Sequence, residues 1–314
     1  MNSSGLPDFL LARFTESHAL LRLQALLLTL LYLVAALENA AVALLTLLDR
    51  RLRTPMYFFL RHLALLDLGL ISTTIPKAAV NALTLSDSIS FLGCAFQLFL
   101  VILLDGCEVG LLTAMSYDRY VAICRPLHYE VLMSRGTCLR LLAGSWLGGG
   151  AVGVLYSAGT FSLSFCGSRT VHQFFCDVPA LLKLTCARER TAISVGVAVG
   201  VCYGFSCFLC ILISYARIFA AVLQVPAGQK RARAYSTCLP HLAVVVAFFL
   251  TGSAAYLKPV SDQPSLLDLL LSMFYSVVPP TLNPVIYCLR NKDIQAALGR
   301  VVWHAQGCAR WRSL

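Results

Sequence analysis

Seven apolar runs, each long enough to cross a lipid bilayer, constrain this chain more than any other feature. With soft boundaries they are Leu23–Leu48, Tyr57–Val80, Cys94–Ile123, Leu139–Leu163, Ala192–Ala216, Ser236–Leu257 and Leu266–Leu289. A hydrocarbon core about 30 Å thick takes roughly 20 helical residues. Inside lipid every backbone N–H and C=O must bond within its own segment, so each run is expected to be a helix. The period-two alternation of a transmembrane barrel strand is absent. The expected fold is an all-α membrane protein, a seven-transmembrane helix bundle. With 58% hydrophobic and only 13% charged residues, the chain has too little charge to cover a soluble globule of 314 residues.

The formal charge of +10 follows from topology. If the N-terminus lies outside, most of the 25 Lys and Arg fall on the inner side. They include Arg50, Arg51, Arg53 and Arg61; Arg119, Arg125, Arg135 and Arg140; Arg217, Lys230, Arg231 and Arg233; and Arg290, Lys292 and Arg300. This asymmetry predicts an extracellular N-terminus and a cytoplasmic C-terminus at a plasma membrane. It removes the need for a nucleic-acid partner. Residues 1–22 read as an extracellular tail without a cleavable signal peptide, 23–289 as the transmembrane domain, and 290–314 as a cytoplasmic helix and tail. Ile294, Ala297 and Leu298 recur at i, i+3, i+4, which suits a short amphipathic eighth helix on the inner membrane surface. Asn2-Ser3-Ser4 fits a glycosylation acceptor on the outer side.

Topology also sorts the 13 cysteines. Cys94, Cys166, Cys176 and Cys186 lie at or beyond the outer surface, where disulfides persist, and four cysteines allow three pairings. Most others sit in apolar runs as small hydrophobes. Cys308 is cytoplasmic, either a free thiol or an acylation site. No ligand set with zinc spacing gathers on one side of the membrane.

Four acids fall at bilayer depth: Glu38, Asp67, Asp105 and Glu108. An ionised side chain there costs about 2.5–3.5 kcal/mol on insertion scales, so each is expected to face the bundle interior. Asp67 and Glu108 either bond polar neighbours such as Asn39, Ser72 and Asn283 to fix packing, or bind a sodium ion and act as a switch. Val101, Asp105 and Glu108 share a helix face. Asp105 lies one turn nearer the outside than Glu108, where its carboxyl is placed to hydrogen-bond a ligand or pair with a cationic one.

The chain resembles an olfactory receptor, a branch of the rhodopsin-like G-protein-coupled receptors. The match runs over nearly its whole length. The pieces come in the family's order: PMYFFL at Pro55–Leu60, MSYDRYVAIC at Met115–Cys124, Ser214-Tyr215, AYSTCLPHL at Ala234–Leu242, and PPTLNPVIYCLRNKD at Pro279–Asp293. The resemblance implies an activation switch at Asp118, Arg119 and Tyr120, with Asp118 holding Arg119 at rest and Tyr215 receiving it on activation. It assigns a second switch to Asn283, Pro284 and Tyr287; Pro284 removes a backbone donor and permits a kink. It implies the disulfides Cys94–Cys176 and Cys166–Cys186, which would hold a lid over the pocket. Two departures stand out. Glu38 precedes Asn39 where the family usually has Gly. His172 sits one place away from the family's position before Phe174-Phe175, which weakens a metal role there.

By the same resemblance the ligand cavity lies between the third, fifth, sixth and seventh spans. Its candidate lining is Val101, Ile102, Asp105, Gly106, Val199, Tyr203, Phe249, Gly252, Tyr256 and Met273. A small volatile ligand calls for a closed apolar site with few directed polar atoms. The implied mechanism is a population shift that frees Arg119, engages a stimulatory olfactory-type heterotrimeric G protein and raises cyclic AMP. Nothing in the sequence supplies a nucleophile–base set, a phosphate-cradling loop or a dinucleotide fingerprint, so no enzyme is expected. A same-fold receptor for a non-odorant metabolite is the alternative. A seven-span transporter or channel is more distant, because internal repeats and paired broken helices are missing.

Overall fold

The computed structural model describes residues 8–13, 15, 17–166, 168–186, 191–224, 228–257, 266–290 and 293–300. Seven long helices run through it: α1 His18–Leu48, α2 Pro55–Thr84, α3 Phe91–Cys124, α5 Arg135–Phe161, α7 Thr191–Gln224, α8 Gln229–Leu257 and α9 Leu266–Arg290. Short helices α4 (Tyr129–Leu132) and α6 (Val178–Leu182) lie in the connections, and 293–300 forms a last helix, α10. Six of the long helices are apolar enough to cross a membrane, and α9, with 25 residues, is the seventh span.

Local chemistry sets the helix starts. Thr54 precedes α2, whose first residue is Pro55, a position where the missing N–H costs nothing. The Ser90 hydroxyl accepts from the Gly93 N–H at 3.1 Å and caps α3. Ser134 likewise caps α5 through the Thr137 N–H. α2 ends where Leu85 takes a left-handed conformation at φ 56.

The helices overrun the bilayer. α3 and α7 each have 34 residues, about 51 Å at 1.5 Å per residue against a core of about 30 Å. The apolar runs therefore mark only the membrane-embedded part of each helix. α1, for instance, begins five residues before the first of those runs.

α3 is the central rod, packed against α2, α5, α7 and α8, while α1 and α9 close the side beside α2. α1 and α7 present broad apolar faces outward, such as Leu37, 72% exposed. A contiguous surface of that kind is suited to lipid rather than water. The tightest crossing joins α3 to α5. A methyl group added to Gly106 would lie 2.7 Å from the Cα of Gly149, and one added to Gly149 would lie 2.6 Å from the Cys107 nitrogen. Only glycine lets the two backbones approach this closely.

The outer end carries a second small core. Strand β1 (Phe9–Leu11) pairs antiparallel with β2 (Ser88–Ile89) and parallel with β3 (Thr170–Val171), in the order β2–β1–β3. Phe9, Leu11, Ile89, Val171 and Cys176 are buried together beneath this sheet. The Phe9 ring meets Phe165 edge-on at 5.2 Å. Part of the stretch read from sequence as a tail is thus a strand of the lid.

Candidate functional site

Two clusters of polar side chains lie along the bundle axis, and both are assembled by residues far apart in sequence. The upper cluster joins α1, α2, α3 and α9. Asn283 donates from Nδ2 to Asp67 Oδ1 at 3.2 Å and Oδ2 at 3.1 Å, and to Glu108 Oε1 at 3.0 Å. All three residues are almost fully buried. Two carboxylates sharing one amide at this depth require a proton or a cation between them. Their oxygens are hard donors of the kind a sodium ion takes. Among the described residues no group of three or more His, Cys, Asp or Glu gathers around a metal position, so this pair is the whole acidic donor set.

Asn39 serves a different purpose. Its Nδ2 donates to the Pro280 carbonyl at 2.8 Å. Pro284 cannot supply the helical N–H that this carbonyl would otherwise receive. Asn39 therefore satisfies the bond that the proline kink frees, and ties α1 to α9 at the kink. Its Oδ1 is buried without a partner. Glu38, the neighbouring residue, is half-buried and makes no hydrogen bond to this cluster.

The lower cluster lies at the opposite end of the bundle from the lid. Asp118 is fully buried. Arg119 is ion-paired to its Oδ2, with Nε at 3.0 Å. Tyr129 of α4 donates to the other oxygen, Oδ1, at 2.7 Å. The short loop helix thus holds the carboxylate in position for Arg119. Tyr120 turns away from this pair to line a groove beside α5 and α7. Tyr215 does not meet Arg119. Its hydroxyl lies 2.7 Å from His241 Nδ1, and His241 Nε2 lies 3.0 Å from the Leu112 carbonyl. A carbonyl only accepts, so Nε2 carries the proton and Nδ1 accepts from Tyr215. This bridge links α3, α8 and α7 through one neutral, fully buried imidazole. The Tyr287 hydroxyl on α9 is buried with no partner.

At the lid, Cys94–Cys176 and Cys166–Cys186 are bonded, with Cα separations of 5.5 and 5.8 Å that are ordinary for disulfides. Gln97 reinforces the first bridge: its Oε1 accepts from the Cys176 N–H at 2.9 Å and its Nε2 donates to the Thr73 carbonyl at 2.9 Å. Arg13 holds the strand β1 region down through Asp87 at 2.6 Å.

The residues expected to line the ligand cavity divide by location. Val101 is buried in the main core and Ile102 in the lid-side core. Asp105 is half-buried, and among the described residues nothing hydrogen-bonds its carboxyl. Met273 packs against the main core. Phe249 stacks edge-on with Phe208 at 5.2 Å, and Gly252 has open space around it. Gly106 lies instead at the α5 crossing, and Tyr203 donates to its carbonyl at 3.1 Å while its ring covers Gly148. Val199 is 39% exposed on the outward side of α7. The Tyr256 side chain, Asn2 and Cys308 lie outside the described residues.

Sequence reasoning missed His241 and Tyr129. His241 stands in the AYSTCLPHL stretch, but a lone histidine in an apolar run has no pattern that names its partner. Tyr129 follows the Asp118-Arg119-Tyr120 triplet by nine residues, and only the fold of the loop returns it to Asp118.

Comparison with known proteins bears on these geometries. Residues 28–305 match the family model described as olfactory receptor. The chain is 62% identical to human olfactory receptor 14K1 over 305 residues, 97% of each chain. It is 50% identical to human olfactory receptor 14A2 over 299 residues, 95% of each. Its fold resembles squid rhodopsin at a TM-score of 0.77 and 15% identity, over 96% of this chain and 92% of that one.

Proposed function

Because the chain belongs to the olfactory receptor family, whose members are signalling receptors rather than enzymes, we propose that it binds small volatile molecules within the bundle and activates a stimulatory olfactory-type G protein, raising cyclic AMP. The observation that carries the signalling half is the pairing of Arg119 with Asp118, steadied by Tyr129. A permanently charged guanidinium held by one buried carboxylate is a two-position device. Released, it presents a cation to an inserted G-protein segment and comes within the province of Tyr215.

The orientation we adopt puts the lid and N-terminus outside and Arg119 inside, at the plasma membrane. Ligand enters beneath the disulfide-anchored lid and meets Asp105, whose unshared carboxyl orients a polar or cationic group. A ligand that prefers the active arrangement shifts the population toward it. The inner end of α8 then leaves α3, which breaks the His241 bridge. Asp67 and Glu108 hold a sodium ion in the resting arrangement; the ion balances the acidic pair beside Asn283. Asn2 carries the glycan in this orientation.

The test is a diverse volatile library read by a cyclic AMP reporter, with Arg119→Ala alongside. Odorant-evoked cyclic AMP that disappears in Arg119→Ala, with surface delivery intact, is expected. Retained signalling in the variant, or a ligand-evoked current in place of cyclic AMP, would overturn the reading.

A further inference from the structure

A groove of about 690 Å³ runs between α3, α5 and α7, and Tyr203 alone among the described candidate ligand-lining residues borders it. Its walls change character along its length. One end is lined by Arg125, Arg140 and Arg217, the other by Gly110, Cys207 and Tyr203. Arg125 caps the end of α3, Arg140 lies in the second turn of α5, and Arg217 lies two turns before the end of α7. All three belong to the end of the bundle that carries Arg119. Each is exposed, and among the described residues none has a carboxylate partner. Arg140 uses its Nε on the Gly136 carbonyl at 3.3 Å, which leaves its two terminal nitrogens free to bind.

Three cations at one mouth are complementary to a phosphate group. The length of the groove decides what carries that phosphate. Gly110 and Arg125 are fifteen residues apart on α3, about 22 Å of helix rise. A headgroup covers only the arginine end. The remainder is a largely apolar channel open to the side, where a methyl group added to Gly144 would meet nothing within 4 Å, and its length suits an acyl chain. An inorganic anion or an acidic protein segment would leave that channel uncovered. We propose that this groove is a binding site for an anionic phospholipid, with its phosphate on Arg125, Arg140 and Arg217 and one acyl chain running toward Gly110.

The site borders the signalling machinery. Tyr120, the third residue of the Asp118-Arg119-Tyr120 triplet, and Ser214, next to Tyr215, both line the groove. The Cys124 thiol donates to the Arg217 carbonyl at 3.7 Å, holding α3 and α7 together at the mouth. A lipid seated here braces the α3–α7 contact. In the orientation adopted above it comes from the inner leaflet.

The experiment uses the full-length receptor in symmetrical nanodiscs, so that its outcome does not depend on that orientation. Phosphatidic acid carrying a photoreactive acyl chain is compared with phosphatidylcholine carrying the same chain, and labelled peptides are mapped. Labelling of α3, α5 and α7 by phosphatidic acid is expected to exceed that by phosphatidylcholine by at least about tenfold. Arg125→Gln/Arg140→Gln/Arg217→Gln should abolish this preference. Arg50→Gln/Arg53→Gln/Arg135→Gln, which removes equal charge elsewhere, should keep it. Gly144→Phe keeps all three arginines, improves helix propensity and fills the channel; it should lower labelling as much as the triple variant. Equal labelling by the two lipids, an unchanged pattern in Gly144→Phe, or full competition by inorganic phosphate would overturn the proposal. So would protection of the three arginines by the G protein with no lipid preference, which would assign the groove to the protein partner.

Discussion

Replacing His241 with Phe probes the α3–α8–α7 bridge while keeping the ring's bulk. The change removes two hydrogen bonds, and they are unequal. The Leu112 carbonyl keeps its helical partner four residues on, so it loses little. The Tyr215 hydroxyl loses a bond of 2.7 Å and is left with the Cys238 carbonyl at 3.5 Å, at the limit of useful geometry. A buried hydroxyl stripped of its partner costs about 1–3 kcal/mol, and the weak substitute brings this to about 1–2 kcal/mol. In the proposed mechanism His241 leaves both Leu112 and Tyr215 on activation, which frees the Tyr215 hydroxyl for Arg119, so the loss falls on the resting arrangement. The resting-to-active ratio should therefore drop about five- to thirtyfold. The assay is ligand-independent cyclic AMP per receptor at the cell surface. Basal output should rise in His241→Phe; Tyr215→Phe deletes the same resting contact but also the hydroxyl that receives Arg119, so it should rise less, and the double variant should rise no further than Tyr215→Phe. Unchanged or reduced basal output at equal surface density would refute the reasoning, because it would mean that the bridge is equally present in both arrangements.

Other consequences follow from the same geometry. Asp105→Asn should change potency or rank order across an odorant panel, and an unaltered profile would remove Asp105 from the ligand path. Cys94→Ser or Cys176→Ser should cost about 2–5 kcal/mol and abolish surface delivery; normal maturation would contradict a structural role for that bridge. Outside the membrane, Arg300 donates to Asp49 at 2.5 Å and the Arg51 N–H adds a bond at 2.9 Å, which together hold the Asp49 carboxyl below its ordinary value of 3.8. A lowered carboxyl pKa means that the tether of α10 is complete above that ordinary value and is lost only as pH falls through the lowered one. Hydrogen exchange in 293–300 should be flat through neutral and mildly acidic pH and faster throughout in Arg300→Gln; loss of protection near neutrality would contradict the tether.

The bundle was legible in the sequence because hydrophobic length is a direct reading of membrane depth. The helix ends were not, because they leave the hydrocarbon and turn polar while the backbone stays helical; the start of α1 at His18 is one case. The lid sheet was illegible for another reason. Strands of two or three residues are too short to show a period of two. Asp67, Glu108 and Asn283 are conspicuous one by one, because polar groups at bilayer depth must have partners, and the fold brings both carboxylates onto the Asn283 amide. Asn39 is conspicuous in the same way, but its bond to Pro280 depends on which carbonyl the proline frees, and only the fold brings that carbonyl to α1. Gly106 shows the limit of face-counting: a small residue beside Asp105 reads equally as pocket floor or as helix crossing, and only Gly149 on another helix separates the two.

The most direct measurement is the distance between spin labels carried by non-natural amino acids at Ile123 on α3 and Ala232 on α8, taken by double electron–electron resonance before and after an activating odorant. A single short distance that lengthens with ligand, and lengthens without it in His241→Phe, is the predicted result. A distance indifferent to both ligand and substitution, in receptors that still raise cyclic AMP, would contradict the claim that signalling runs through separation of these two helices.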